Sequence, residues 1–179
     1  RTLHYSPSPV EAEDQSYFNL FYAKKPIKRT IRFAAFKPQN IPKNYFIPAD
    51  SVLTHRFFVN INSDVSMLSI NPHMHKLGKS FKSFVISSEG DTIKLVHVPE
   101  WDFGWQDFYR FRKIQHISKG SVLHVEATYD NTTANVDNPF FPPRNIFLES
   151  GSMEDTEEMM RISFLYLPYK EGDEKISLK

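Results

Sequence analysis

Val65-Ser66-Met67-Leu68-Ser69-Ile70-Asn71-Pro72-His73-Met74-His75 reads as a β-strand, and two imidazoles sit two residues apart at its end. On a strand, residues i and i+2 project from the same face. His73 and His75 can therefore hold one metal ion between them, while Met74 points to the opposite side. Working outward from this stretch, period-two alternation and Pro/Asn/Gly punctuation recur far more often than any helical period. The other candidate strands are Tyr17 to Ala23, Arg29 to Phe36, Ser51 to Asn60, Ser80 to Ser87, Thr92 to Val98, Phe108 to Ile117, Ser121 to Tyr129 and Arg161 to Pro168. Turn signals separate them at Lys37-Pro38-Gln39-Asn40, Ile47-Pro48-Ala49-Asp50, Ser88-Glu89-Gly90-Asp91, Lys119-Gly120 and along Asp130 to Pro143. About nine short strands predict an all-β fold, a jelly-roll-like β-sandwich of two antiparallel sheets. The acidic run Met153 to Met160 is expected as a short turn or helix leading into the last strand. Arg1 to Glu13 and Lys170 to Lys179 read as linker or tail.

Composition narrows the function classes. A chain of 179 residues, 40% hydrophobic and 15% aromatic, can bury one substantial core. With Lys+Arg 22 against Asp+Glu 21 and a formal net charge of +1, there is no basic field to suggest nucleic acid or an anionic membrane surface. Cysteine is absent, which excludes disulfides, thiolate metal sites and a cysteine nucleophile in this stretch without settling the compartment. No apolar run approaches the roughly 18 residues that span a bilayer. The chain opens at Arg1-Thr2-Leu3 with neither an initiator Met nor a signal peptide, which suggests a processed protein or an excised fragment.

Two neutral imidazoles suit copper, zinc, iron or nickel and do not choose among them. A third ligand is needed. The C-terminal third offers Met153, Met159 and Met160, and a thioether is a soft donor that favours Cu(I) over Zn(II). A His, His, Met set would leave an open coordination position suited to O2 chemistry. Against this, an isolated His-x-His is more often a surface or hydrogen-bonded pair, and methionines near a strand start are usually core filler.

The order of four motifs adds to the pair. Asn71-Pro72-His73-Met74-His75-Lys76-Leu77-Gly78-Lys79-Ser80-Phe81 is followed by Trp101-Asp102-Phe103-Gly104-Trp105-Gln106-Asp107-Phe108-Tyr109. Next come Tyr129-Asp130-Asn131 with Asn138-Pro139, and then Gly151 to Met160. In this order they resemble the copper type II ascorbate-dependent monooxygenases, whose animal members include the peptidylglycine hydroxylating monooxygenase and dopamine β-monooxygenase. The closer likeness is to bacterial relatives lacking the animal cysteines, and it runs from about His4 to Tyr166.

The resemblance implies a second, O2-activating jelly-roll domain whose copper is held by the histidines of His-x-His and a methionine in an Asp-Glu-Met-like motif. Carried over, the histidines are His73 and His75, and the methionine is Met159 through Glu157-Glu158-Met159. The segment after Gly151 is one residue longer than the usual spacing, so Met160 is the fallback and Met153 a weaker one; Glu157 stands where the motif has Asp. A first domain would carry an electron-transfer copper, one of whose ligands lies in a His-Tyr dipeptide. Leu3-His4-Tyr5 matches that ligand, and no His-His pair follows, so His4 represents an incomplete second site. The implied organisation is the end of an upstream copper domain plus linker over 1–25, a copper-binding jelly roll over 26–170 and a tail over 171–179. The implied activity is hydroxylation of a substrate C–H bond with O2 and ascorbate or an equivalent one-electron reductant. An exported location in a bacterial periplasm or cell envelope is expected.

In the peptide-amidating member an Arg two residues before the first His grips the substrate carboxylate, and an Asn and a Tyr follow the Met at two and four residues. The corresponding positions here are Asn71, Arg161 and Ser163. Losing the first cation removes a bidentate partner for a peptide C-terminus; Arg161 could substitute, but an Arg at a strand start is more often a surface charge, so peptidylglycine is not the expected substrate. His55, His97, His116 and His124 lie in separate strands without paired ligand spacing and read as structural. The aromatic stretch Trp101 to Phe111 reads as core packing between sheets rather than a base-stacking or sugar platform. Asn131-Thr132-Thr133 fits a glycosylation acceptor, a match that is common by chance. No G-x-S-x-G, P-loop, dinucleotide fingerprint or His-Glu-x-x-His is present. The competing class is a jelly roll that binds copper, or a partner, without catalysis.

Overall fold

Val122 to Asn131 shows why this sequence makes sheets. Leu123, Val125, Ala127 and Tyr129 are completely buried, while the residues between them face outward, the alternation of a strand with one face in a core. Such a face needs a second sheet to cover it. The computed structural model describes residues 10–11, 13–38, 46–148 and 157–178. Within them lie ten strands: β1 (Arg32–Phe36), β2 (Phe46–Ile47), β3 (Ser51–Asn60), β4 (Val65–His73), β5 (Gly78–Ile86), β6 (Thr92–Val98), β7 (Tyr109–Ile117), β8 (Val122–Asn131), β9 (Ile146–Phe147) and β10 (Arg161–Pro168). Two four-stranded sheets run in the orders β1-β10-β4-β7 and β3-β8-β5-β6, and β2 pairs with β9 apart from them. Every strand pair is antiparallel. The chain crosses between the two sheets from β3 to β4, β4 to β5, β6 to β7 and β7 to β8, as expected of a jelly-roll-like sandwich. Ile70, Ile162 and Phe164 of one sheet share a core with Phe81, Val85 and Val125 of the other.

A bulge decides which way the histidines point. Against β10, Met67 pairs with Tyr166 and Ser69 with Leu165, so Leu68 is the extra residue in β4. Before it the core residue is Met67; after it the core residues are Ile70 and Met74. The extra residue shifts the inward set from odd to even positions. Asn71 and His73 consequently face away from the core.

Several sequence expectations need correction. Tyr17 to Ala23 forms no strand; it is extended and exposed, with Phe21 96% accessible, because no neighbouring strand pairs with it among the described residues. Of the run expected as a turn or helix, the described part, 157–160, is not helical, and Glu158 bridges to Leu148. The segment read as a tail is docked: Asp173–Lys175 forms a 3₁₀ turn, Asp173 is buried, and Ser177 bridges to Lys113 on β7. Asn131 is not an acceptor for glycan in the folded chain. It is fully buried, and its amide donates to the carbonyls of Pro48 (2.9 Å) and Arg144 (2.8 Å) while its oxygen accepts from Asn138. It fixes the long loop after β8 to the start of β3.

Candidate metal centre

His73 ends β4 and His75 begins the turn into β5, which Gly78 closes by donating to the His75 carbonyl at 3.2 Å. The two imidazoles lie 5.2 Å apart between ring centroids, at 85° to one another. Two rings sharing one ion at metal–nitrogen distances of about 2 Å can reach that separation.

The protons on these rings are fixed by their partners. His75 Nδ1 lies 2.5 Å from the backbone oxygen of Glu157, which can only accept, so Nδ1 is the donor. His73 Nδ1 lies 2.5 Å from Gln106 Oε1. Gln106 in turn donates through Nε2 to the Phe103 carbonyl at 2.8 Å, which sets its amide orientation and makes Oε1 the acceptor. Both histidines are thereby held as Nδ1–H tautomers with the Nε2 lone pairs uncommitted, the arrangement that outer-shell partners impose on metal-binding histidines. Burial holds the His73 pKa below the ordinary value; the neighbouring His75 ring and the Arg161 charge act the same way, and the Gln106 contact opposes them. A neutral imidazole is the form that donates a lone pair to a metal.

The methionine expected as third donor lies just before β10. In the β4–β10 register Arg161 pairs with His73 and Ser163 with Asn71, and Met159, two residues before that ladder, lines one cavity with Arg161. Met160 is 3% exposed, in the core with Met74. Among the described residues no group of three His, Cys, Asp or Glu side chains lies close enough to hold a metal. A thioether is a donor of another type. His4 and Met153 lie outside the described residues.

A buried carboxyl group ties these segments together. Glu158, 1% exposed, accepts from the backbone N–H groups of His75 (3.0 Å), Leu77 (2.6 Å) and Met159 (3.2 Å). Burial pushes its pKa up to about 8, against the pull of those three donors. From the opposite sheet the Tyr129 hydroxyl donates to the Met159 carbonyl at 2.8 Å. Met159 is held from both sides of its peptide unit.

The stretch expected as core packing is so at its two ends, where Trp101, Tyr109 and Phe111 pack against the core, and the residues between form a loop beside the histidines. The Trp101 Nε1 donates to the His75 carbonyl at 3.2 Å. Phe103 meets the His75 ring edge-on at 5.8 Å, Gln106 holds His73, and Trp105 is 69% exposed. Gly78 makes room for this loop: a Cβ there would stand 2.6 Å from Trp101 Cδ1 and 2.9 Å from Met74 Cε.

The three pocket candidates separate. Asn71 spends its amide on the Asp107 carbonyl at 2.8 Å, fastening the same loop, and Ser163 is buried. Arg161 lines a cavity with Met159, Lys37, Phe36 and Ala35. Of the histidines expected to be structural, His55 is buried near Tyr129, His124 stacks on Phe84 at 4.9 Å, and His116 stacks on Tyr169 at 3.7 Å. His97, on β6, is exposed. Gln106, Glu158 and Tyr129 are the supporting residues that spacing alone did not single out. A lone amide in an aromatic run and a carboxylate beside a candidate ligand were the available signals.

No helix among the described residues is long and apolar enough to cross a membrane. No curated protein matches the chain significantly. The family model for the C-terminal domain of copper type II ascorbate-dependent monooxygenases matches residues 41–138, a span that contains His73, His75 and Gln106 and ends before Met159. That match covers more than half of the 179 residues, and with it the chain belongs to the copper type II ascorbate-dependent monooxygenase family, as a C-terminal domain.

Proposed function

We propose that this domain binds one copper ion through His73 Nε2, His75 Nε2 and the Met159 thioether, and that it serves the O2-activating half of a monooxygenase. The observation that carries the reading is the pair of fixed tautomers: both Nδ1 protons are committed to oxygen acceptors, which leaves the Nε2 lone pairs of both rings uncommitted. Copper held there supplies the one-electron chemistry that activates O2 for insertion into a substrate C–H bond. Hydroxylation consumes O2, two electrons and two protons and yields the alcohol and water. Ascorbate or an equivalent one-electron donor would supply the electrons.

The chain's own residues set the conditions for that chemistry. Burial keeps the His73 pKa below its ordinary value, and the Nδ1 contacts of both rings turn Nε2 into the free donor atom. A thioether softens the set and favours the reduced metal. Gln106, Glu158 and the Tyr129 hydroxyl hold the proposed donors still, as a metal site requires of the groups behind its ligands. Phe103 covers one ring of the pair.

Anaerobic Cu(I) titration tests the site. One copper per chain is expected, with loss of binding in His73→Ala or His75→Ala and a sulfur neighbour in the copper X-ray absorption spectrum that disappears in Met159→Leu. Absence of Cu(I) uptake by the folded chain would sink the reading. A chain extended through the upstream domain should consume O2 with ascorbate in the presence of a substrate; copper uptake without turnover there would identify a non-catalytic copper module.

A further inference from the structure

We infer that the hollow along β5 and β6, on the outer face of the sheet β3-β8-β5-β6, binds a planar aromatic ring bearing an acidic group, with Phe84 as the stacking wall and Lys94 as the anchoring cation. The hollow has a volume of about 480 Å³, and its lining includes Lys82, Phe84, Thr92, Lys94, Leu95 and His97. That volume falls within the range of small-molecule sites. The histidine pair follows a strand of the other sheet, so the inference does not depend on copper.

A bulge builds the hollow. Ser83 pairs with Val96 and Phe84 with Lys94, which leaves Leu95 as an extra residue in β6. In a regular strand Lys94 and His97, three residues apart, would face opposite sides of the sheet. With the extra residue both are exposed, and they stand across the strand pair from Phe84 and Lys82. A bulge also bends the strand that carries it, and β6 is the edge strand of its sheet.

Ring and charge together select the ligand. His124, on β8, stacks on Phe84 with centroids 4.9 Å apart and planes 3° from parallel, so the β8 side of the Phe84 ring is taken. The hollow lies on the β6 side, because its lining comes from β5 and β6 alone. A flat ring placed there extends the stack by one member. No carboxylate pairs with Lys94 among the described residues. The carboxylate beside Lys82, that of Glu126 at 3.8 Å, also takes Arg56 at 3.1 Å. Positive charge is therefore left over beside an aromatic wall; an anion neutralises it, and an amine is repelled. Lysine on an edge strand also guards against edge-to-edge pairing. That role accounts for Lys94 but not for Lys82, on an inner strand, nor for the ring beside it.

The test titrates 2-naphthoate into the copper-free chain and follows the backbone amide signals by ¹H–¹⁵N NMR. Saturable shifts are expected at Phe84, Lys94 and Leu95 and not at His73 or His75. 2-Naphthamide keeps the ring and lacks the charge; decahydro-2-naphthoate keeps the charge and lacks the flat ring. Each should bind at least about tenfold more weakly than 2-naphthoate, the difference expected of one charge-assisted or one stacking contact. Lys94→Gln, at an exposed position, should abolish the preference for naphthoate over naphthamide. Phe84→Leu should abolish the preference for naphthoate over its saturated analogue; if that variant does not fold, Lys94→Gln and the saturated analogue decide. Equal binding of naphthoate and either comparator, a preference that survives Lys94→Gln, shifts centred on the histidine pair, or no shift at millimolar naphthoate would overturn the inference.

Discussion

Gln106 Oε1 accepts the Nδ1 proton of His73 while Gln106 Nε2 is pinned to the Phe103 carbonyl. The loop between β6 and β7 thereby dictates which nitrogen of a histidine on β4 is free. Replacing Gln106 with Leu keeps the bulk and removes the acceptor, so His73 is free to rotate and to change tautomer. We expect Cu(I) affinity to fall about 10–100-fold, measured by competition with a chromophoric Cu(I) chelator, while thermal stability changes little. Unchanged affinity would show that the contact does not govern the donor.

The two adjacent methionines just before β10 are given different places, Met160 in the core and Met159 at the proposed copper site, and should behave oppositely. Met160→Leu conserves volume in the core and should cost less than about 1.5 kcal/mol, leaving Cu(I) binding intact. Met159→Leu should remove the sulfur neighbour of copper and lower the selectivity for Cu(I) over Zn(II). X-ray absorption on both variants checks this, and a sulfur signal that follows Met160 would reverse the assignment.

The parts of this structure that were legible in sequence are those set by local period. Ser51–Asn60, Thr92–Val98 and Arg161–Pro168 are strands at the limits that alternation and turn residues predict. The shared face of His73 and His75 follows from the same period. Which face it would be did not, because the bulge at Leu68 has no distinctive residue to announce it. The aromatic run Tyr17 to Ala23 has strand composition, yet β-propensity measures fit to a half-buried surface, and the described chain offers it none. Asp173 looked like part of a charged tail because its partner, Arg29, is 144 residues away. The two-residue strands β2 and β9 are too short to carry a pattern. Gln106 and Glu158 act through contacts 33 and 83 residues away in sequence, beyond any spacing rule.

Gly78 lies under Trp101, and its role is steric rather than conformational. A methyl group in Gly78→Ala would approach the indole at 2.6 Å, and the indole is held by its bond to the His75 carbonyl. The ring has to move, at a cost of about 1–3 kcal/mol. A lowered denaturation midpoint with altered tryptophan fluorescence is expected. An unchanged midpoint would mean that the loop yields freely.

Glu158→Ala leaves the N–H groups of His75, Leu77 and Met159 without the acceptor that now serves all three. Each buried donor left unmet costs about 1–3 kcal/mol, and the total is reduced to the extent that water enters the space. We expect a loss of stability larger than that of Gly78→Ala, with faster amide exchange at His75 and Leu77. Exchange rates equal to those of the parent chain would show that other acceptors replace the carboxyl group.

Asp173 provides the acid-sensitive contact. Arg29 donates to both of its oxygens at 2.7 and 2.9 Å, and Ser66 and the Lys170 N–H add two further bonds. The Arg29 hydrogen bond, reinforced by Ser66, Lys170 and the guanidinium charge, outweighs burial and holds the carboxyl well below the usual carboxylate range. An acid whose folded pKa is depressed stabilises the fold above its unfolded pKa, about 3.9 for aspartate. That contribution is lost as pH falls through the interval below it. Asp173→Asn should therefore cost about 1–3 kcal/mol near neutrality, a figure kept modest because the Arg29 side chain is 32% exposed. The gap between parent and variant should stay constant from pH 7 to pH 5 and narrow at pH 3, as read from urea midpoints. A gap as wide at pH 3 as at pH 7 would show that the contact does not act through the ionised carboxylate.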